Sequence, residues 1–304
     1  MMFAKILFPI DFSRHTERIV HRLPDLKRVG MEAAVLLHVI NPIKAVRWMD
    51  VDETKINRLK ADAEQQLRDI SERLTAQHGI AAEYRVEIGV TDQEIIKAAE
   101  EQAASLIVMG AHGRSYIRGA LLGSVTQNVL RRTKTPLLIA RFHNPEDKVE
   151  ENPHFFPRDI CAKILYPTDF SKNALRAFQL LKTCKQEGQK EVILLHVQDT
   201  RRLLPYLKDK MVEFDRIDRE RLAELKRQLI FAGYSVRSEV KTGISFMEIN
   251  KTAEAEDVTL IVMASHGKSN IREALLGSVT EEVAQHHVRP VLIVPRDQDE
   301  HKTP

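Results

Sequence analysis

The chain has 304 residues, 43% of them apolar and 29% charged, the balance of a folded globular protein with room for two domains of ordinary size. Its 46 basic and 43 acidic residues are mixed along the chain and leave a formal net charge of +3, so neither a nucleic-acid nor a membrane surface is expected as its main partner. The two cysteines, Cys161 and Cys184, exclude a disulfide framework and have no zinc-type spacing; Cys184 falls in an apolar helical pattern and reads as a buried thiol.

The chain opens on MMFAKILFPIDFS, a short apolar run closed by Asp11. That run is too short for the core of a signal peptide, and no segment reaches eighteen consecutive apolar residues, so a reduced, cytoplasmic protein is expected. KILFPI and AAVLLHVI (33–40) have the length and branched apolar content of strands. Between them residues 14–29 read as a helix, with Ile19, Val20, Leu23 and Leu26 on one face. Residues 54–78 read as a second helix, with Ile56, Leu59, Ala63, Leu67, Ile70 and Leu74 at steps of three and four. AEYRVEIG alternates like a strand exposed on one side, and TDQEIIKAAEEQA is a helix capped by Thr91 or Asp92. LIVMG, VTQNVLRRT and PLLIAR complete the series as strand, helix and strand. The order β-α-β-α-β-α-β-α-β predicts an open parallel α/β sheet with helices on both faces.

The same order then recurs. KILFPIDFS (5–13) returns as KILYPTDFS (163–171), and LLHV at 36–39 returns at 194–197, both at an offset of 158. Gly89 and Gly113 return as Gly243 and Gly267 at an offset of 154, so the second copy is four residues shorter between His196 and Gly243. The second set of elements is KILYPT, helix 172–187, EVILLHV, helix 208–232, SVRSEV, helix 245–256, TLIVMA, helix 279–287 and PVLIVP. We expect domain one over 1–142, a polar linker with three prolines over 143–159, domain two over 160–297, and a charged tail.

GAHGRSYIRGALLGSVT (110–126) places four of the chain's 12 glycines within fourteen positions, and ASHGKSNIREALLGSVT (264–280) nearly repeats it. Both fit x-x-x-G-x9-G-S, with glycine at the first position of the first copy and Ala264 at that of the second. Open α/β sheets bind ligands beyond the carboxyl ends of their strands, where the strand order reverses. If strands one and four are neighbours there, the loops face the aspartates that end strand one, Asp11 and Asp169. Glycine permits positive φ and close backbone approach. Gly123 and Ser124 open a helix, where unpaired N–H groups favour an anion, and Ser124 and Thr126 add hydroxyls. A phosphate at the loop and a ribose hydroxyl or adenine amine at Asp11 describe a nucleotide. Each feature alone also has a purely structural account: a turn at the glycines, an N-cap at Ser124, and a cap on the first helix from Asp11 or Ser13. Arg114, Arg118, Lys268 and Arg272 either screen phosphates or are solvated loop charges. His112 and His266 have no paired base or nucleophile in view. There is no G-x-x-x-x-G-K-[ST] and no G-x-G-x-x-G.

With KILFPIDFS at the start, LLHV on strand two and G-x-x-G-x9-G-[ST] after LIVMG, the chain resembles the universal stress protein family, and the resemblance covers both copies. It implies tandem Rossmann-like (adenine nucleotide alpha hydrolase-like) domains, each an open five-stranded parallel sheet, and in one branch of the family ATP or AMP binding. Carried onto this chain, Pro9, Ile10, Asp11 and the backbone of Val39 would hold the adenosine. Met109, Gly110, His112, Gly113, Gly123, Ser124, Val125 and Thr126 would meet ribose and phosphates. The second copy offers Pro167, Thr168, Asp169, Val197, Met263, Ala264, His266, Gly267, Gly277, Ser278, Val279 and Thr280. The resemblance also implies pairing of the two domains into an intramolecular pseudo-dimer through PLLIARF and PVLIVPR, with homodimerisation open. Three functions remain at this point: a nucleotide-binding regulatory protein of stress response acting on an unknown protein partner, a slow ATPase with Asp11 or Asp169 helping to hold magnesium, and a ligand-free interaction module.

Overall fold

A computed structural model describes residues 3–42, 53–111, 122–140, 157, 159–184, 190–199, 211–267, 276–286 and 289–296. The chain divides into two compact units, Met1–Val149 and Glu150–Pro304. In the first, the elements run β1 (Lys5–Pro9), α1 (Arg14–Arg22), a 3-10 helix (Leu23–Val29), β2 (Ala33–Ile40), α2 (Glu53–His78), β3 (Ala81–Ile88), α3 (Thr91–Glu101), β4 (Leu106–Gly110), α4 (Ser124–Arg132) and β5 (Leu137–Ala140). In the second they run β6 (Lys163–Pro167), α5 (Lys172–Lys182), β7 (Glu191–Asp199), α6 (Met211–Phe231), β8 (Ser235–Gly243), α7 (Ser245–Ala255), β9 (Leu260–Ala264), α8 (Ser278–His286) and β10 (Val291–Val294).

Within each unit every strand pairing is parallel. The spatial order is β3-β2-β1-β4-β5 in the first unit and β8-β7-β6-β9-β10 in the second. The chain winds outward from β1 through β2 to β3, then crosses back to lay β4 on the other side of β1. The expected switch point therefore lies between strands one and four of each unit. Ile6, Leu7 and Phe8 of β1 and Leu106, Ile107 and Val108 of β4 are fully buried. Such unbroken apolar runs fit strands covered on both faces, where the outermost β3 alternates instead.

Proline shapes the crevice. β1 pairs with β2 as far as Pro9↔Leu37, but with β4 only at Ile6↔Leu106 and Leu7↔Ile107. β6 repeats this, reaching Pro167↔Leu195 on one side and stopping at Leu165↔Ile261 on the other. A proline has no N–H to extend the ladder, and the strand ends stay unlinked where the ligand site was expected.

Three expectations about boundaries are corrected. The helix expected over 14–29 stops at Arg22 and continues as a 3-10 helix, because Pro24 stands in its first turn and lacks the N–H that an α-helix there would use. Leu23, Leu26 and Val29 are still buried. Neither Thr91 nor Asp92 caps α3. Its N-cap is Val90, and the buried Asp92 turns to Arg132 on α4 at 3.5 Å. The helix expected over 172–187 closes at Lys182, with Thr183 as its C-cap. Gly89 and Gly243, which recur in both copies, leave room for a glutamate one turn into the next helix: a Cβ on Gly89 would lie 2.5 Å from Glu94 Oε1, and one on Gly243 2.9 Å from Glu248 Cγ.

Candidate functional site

The turn after the first strand is built alike in both units. Ile10 N–H and Thr168 N–H donate to Leu37 and Leu195 carbonyls at 2.7 and 2.9 Å, carrying the chain one residue past the strand end. Phe12 and Phe170 then take left-handed backbone, with φ of 56° and 60°. That conformation costs a non-glycine residue about 1–2 kcal/mol and persists only where surroundings over-determine it. Here they do. The rings lie against His38 and His196 with centroids 4.6 and 4.7 Å apart. Each histidine Nδ1 lies 2.7 Å from the carbonyl of Ile10 or Thr168.

The left-handed residue aims the preceding aspartate back over the helix start. Asp11 Oδ1 accepts from Ser13 N–H at 3.0 Å and from the Thr16 hydroxyl, and Asp169 Oδ1 accepts from Ser171 N–H at 3.0 Å. Ser13 and Ser171 are the N-caps, their hydroxyls accepting from Thr16 and Ala174 N–H at 3.3 and 3.1 Å. Capping thus belongs to the serines, while the aspartates brace the turn.

Across the switch point, the glycine-rich loop is tied at both ends. Gly123 N–H donates to Ala111 carbonyl at 2.7 Å and Gly277 N–H to Ser265 carbonyl at 2.8 Å. These two amides are therefore spent inside the chain. The N-cap of α4 is Gly123, which has no side chain to cap with, so Ser124 is the first helical residue and not the cap. The N–H groups of Ser124, Val125 and Thr126, and of Ser278, Val279 and Thr280, stand at helix starts where no intrahelical acceptor exists. The threonine hydroxyls point inward: Thr126 donates to Gly110 carbonyl at 2.9 Å and Thr280 to Ala264 carbonyl at 2.8 Å. They fasten the helix to the end of the fourth strand.

In the second unit these parts enclose a cavity of about 510 Å³. All twelve residues expected there line it: Pro167, Thr168, Asp169, Val197, Met263, Ala264, His266, Gly267, Gly277, Ser278, Val279 and Thr280. His266 is held by a 2.9 Å contact between its Nδ1 and the Ser265 hydroxyl. The glycines are also required by the protein itself. A Cβ on Gly267 would meet Asp169 Oδ2 at 2.5 Å, and one on Gly277 would meet Ser265 carbonyl at 3.1 Å. In the first unit Pro9, Ile10, Asp11 and Val39 stand at the ends of β1 and β2, Met109 and Gly110 at the end of β4, and Gly123 to Thr126 at the head of α4. His112, Gly113, Arg114, Arg118, Gly119, Lys268 and Arg272 lie outside the described residues.

The far wall of the cavity was not anticipated. It comes from the end of β7 and from α6 and α7, and includes Gln198, Asp199, Phe214, Ile217, Asp218, Arg221 and Ser245. Asp218 Oδ2 lies 3.3 Å from His196 Nε2 and accepts from Gln198 Nε2 at 3.1 Å. The Arg221 guanidinium lies 5.4 Å from the Phe170 ring centroid, a cation–π contact. Ser245 donates to Asp199 at 3.2 Å. Helical spacing offered one signal, since Phe214, Ile217, Asp218 and Arg221 fall on one face of α6. Aligning Leu67 and Leu74 of α2 with Leu222 and Leu229 of α6 pairs Asp218 with Ala63, so this carboxylate belongs to the second unit. Among the described residues no three His, Cys, Asp or Glu side chains are grouped to hold a metal ion. No helix among them is long and apolar enough to cross a membrane.

The profile of the universal stress protein family matches residues 2–141 and again 162–295. Universal stress protein MJ0577 of Methanocaldococcus jannaschii is 40% identical over 153 residues, covering 44% of this chain and 94% of that protein. A universal stress protein of Mycolicibacterium smegmatis is 23% identical over 301 residues, covering 95% of this chain and 96% of its own. Among solved structures, that of a universal stress protein from Archaeoglobus fulgidus is 28% identical, covers 97% of both chains and superposes with a TM-score of 0.70.

Proposed function

The chain belongs to the universal stress protein family, with one family domain in each half, and on that premise we propose that it is an adenine-nucleotide-binding regulatory protein. The observation that carries this is the convergence of the twelve expected residues of the second half on one cavity. Its volume of about 510 Å³ lies within the range of small-molecule sites, roughly 300–1,000 Å³. The cavity also opens at the carboxyl ends of the strands beside the switch point, where the fold places ligands.

The two ends of the cavity differ in chemistry as a nucleotide's do. The phosphates would sit on the N–H groups of Ser278, Val279 and Thr280, with the Ser278 hydroxyl, at the positive end of α8. Thr280 contributes its amide there, because its hydroxyl donates to Ala264. The ribose would present hydroxyls to the Asp169 carboxylate, and the base would lie along Val197 and the apolar side of α6. In the first unit Asp11, Val39, Gly110 and the head of α4 would hold a second nucleotide in the same way. Where ATP is the ligand, magnesium would be carried in with its phosphates, since such ions keep most of their coordination for water and phosphate oxygens.

The test is to unfold the purified protein, chromatograph what is released, and titrate the ligand-free chain with ATP and with AMP. An adenine nucleotide in the released fraction, or saturable binding that Ser278→Ala weakens while the chain stays folded, is the expected result. Absence of both would leave an interaction module whose glycines serve its own turns. Turnover of ATP with magnesium, abolished by Asp11→Ala or Asp169→Ala, would instead identify an ATPase.

A further inference from the structure

Val197, along which the base was placed, stands on β7 between His196 and Gln198. Residues two apart on a strand share a face, and these two meet the same oxygen of α6: Asp218 Oδ2 lies 3.3 Å from His196 Nε2 and 3.1 Å from Gln198 Nε2. His196 is itself anchored, its Nδ1 2.7 Å from Thr168 carbonyl. Arg221 Nη1 stands 3.9 Å from the other Asp218 oxygen. Gln198 is 4% exposed, is held in register with Thr242 of β8, and lines the cavity. Its side chain makes one hydrogen bond among the described residues, the one to Asp218. A primary amide carries two donor hydrogens and an acceptor oxygen, so one N–H and the oxygen are left for an occupant of the cavity. At the matching positions the first unit has Ile40 and Ala63, both buried and apolar.

We infer that Gln198 reads the edge of the base in the second site and selects a 6-aminopurine over a 6-oxopurine, with Asp218 as the positioning residue that fixes its polarity. A carboxylate only accepts, so the end of the amide that faces Asp218 is nitrogen. Turning the amide over would set Oε1 against the carboxylate with no hydrogen between them, a buried loss that the pairing avoids. The oxygen is thereby kept as an acceptor and the remaining N–H as a donor. That pattern matches the amine and neighbouring ring nitrogen of adenine. A 6-oxopurine puts a carbonyl where the amine stands, oxygen against oxygen, and a site built to bond one group rejects an analogue that leaves it unpaired. An unpinned glutamine would turn over and accept either base. This selectivity rests on the cavity's being a nucleotide site, and it makes the two sites of the chain unequal, because Ile40 can form neither bond.

The full-length chain is photolabelled with 2-azido-ATP and digested, and the labelled peptides of each half are quantified by mass spectrometry while ATP or ITP competes. On second-half peptides ATP is expected to compete at roughly tenfold lower concentration than ITP, or lower still. Gln198→Ile, which installs the residue of the first unit, should narrow that gap to about threefold or less. Asp218→Asn, whose side chain donates as well as accepts, frees Gln198 to turn over and should narrow the gap likewise while ATP still binds. Circular dichroism melts check folding, and either folded variant is decisive. The ratio on first-half peptides should stay at its wild-type value in both. Equal competition by ATP and ITP on the wild-type second half overturns the inference and leaves the nucleotide reading in place, as does a gap that survives either substitution. Second-half peptides that take up no competable label overturn the two together.

Discussion

The Asp169 carboxylate fills the space that a side chain on Gly267 would need, since a Cβ there would lie 2.5 Å from Oδ2. The aspartate that ends the first strand of the second unit and a glycine of its phosphate-type loop are thus fitted to one another across the switch point, and the loop is positioned by the residue proposed to hold the ribose. Gly267→Ala is expected to push Asp169 off Ser171 N–H, costing about 1 kcal/mol of stability and about tenfold or more in nucleotide affinity. In an Asp169→Ala background the same glycine substitution should cost no further stability, because the clash is gone. Urea denaturation of the four chains of this cycle measures it, and strictly additive losses would refute the coupling.

Thr280 is predicted to act as a fastener. Its side chain is 3% exposed and donates to Ala264 carbonyl at 2.8 Å. Thr280→Val conserves shape but leaves that carbonyl without its donor, at an expected cost of about 1–2 kcal/mol. Thr280→Ser should recover most of it. Equal stability of the valine and serine variants would show that the hydroxyl bond contributes nothing.

Asp218 stands where α2 of the first unit carries Ala63. Asp218→Ala restores the alanine that α2 carries at Ala63, yet it should destabilise by about 1–2 kcal/mol because the buried Gln198 amide loses its acceptor. Adding Gln198→Ile, the residue found at Ile40 in the first unit, removes the stranded amide and should bring stability back toward wild type. A double variant no more stable than Asp218→Ala alone would contradict this.

Acid unfolding should report on Glu256. Hydrogen bonds from Arg237 and Lys163 lower its carboxyl to about 2 from the usual 4.5. With the folded value below the unfolded one, its contribution is complete above pH 4.5 and is lost as pH falls toward 2. Glu256→Gln reproduces Gln102, which accepts from Lys5 at 3.0 Å at the equivalent place in the first unit. At neutral pH the variant should lose about 1 kcal/mol or less, since Arg237 is well exposed. Its stability should fall less steeply than wild type between pH 5 and 3 in urea titrations at fixed temperature. Parallel curves for the two proteins would exclude the effect.

Much of this molecule was legible from residue order because its strands and helices differ in period and because each half repeats the other. β1, β2 and β4 fall where their apolar runs lie, whereas the pairing of β1 with β4, only a condition in the reading of the string, is supplied by the fold. Boundaries were less legible where a side chain has two uses. Asp92 has the chemistry of a cap, but Arg132 on another helix attracts it. Residues 23–29 keep the spacing of an α-helix, but Pro24 withholds one donor and the turn tightens. The glycines were read as making way for a ligand. Gly267 and Gly277 make way first for Asp169 and for Ser265 carbonyl, neighbours that one-dimensional spacing does not identify.

From the sequence alone come the two α/β units, the aspartate-bearing strand ends and the glycine-serine loops, because local periodicity and turn chemistry act between residues close along the chain. Folding alone decided what those features face. It brought Asp169 against Gly267, set Asp218 of α6 between His196 and Gln198, and turned the Thr126 and Thr280 hydroxyls inward. Each of these contacts joins side chains or backbone groups from different elements, so its existence depends on how parallel strands and crossing helices stack rather than on any spacing in the string.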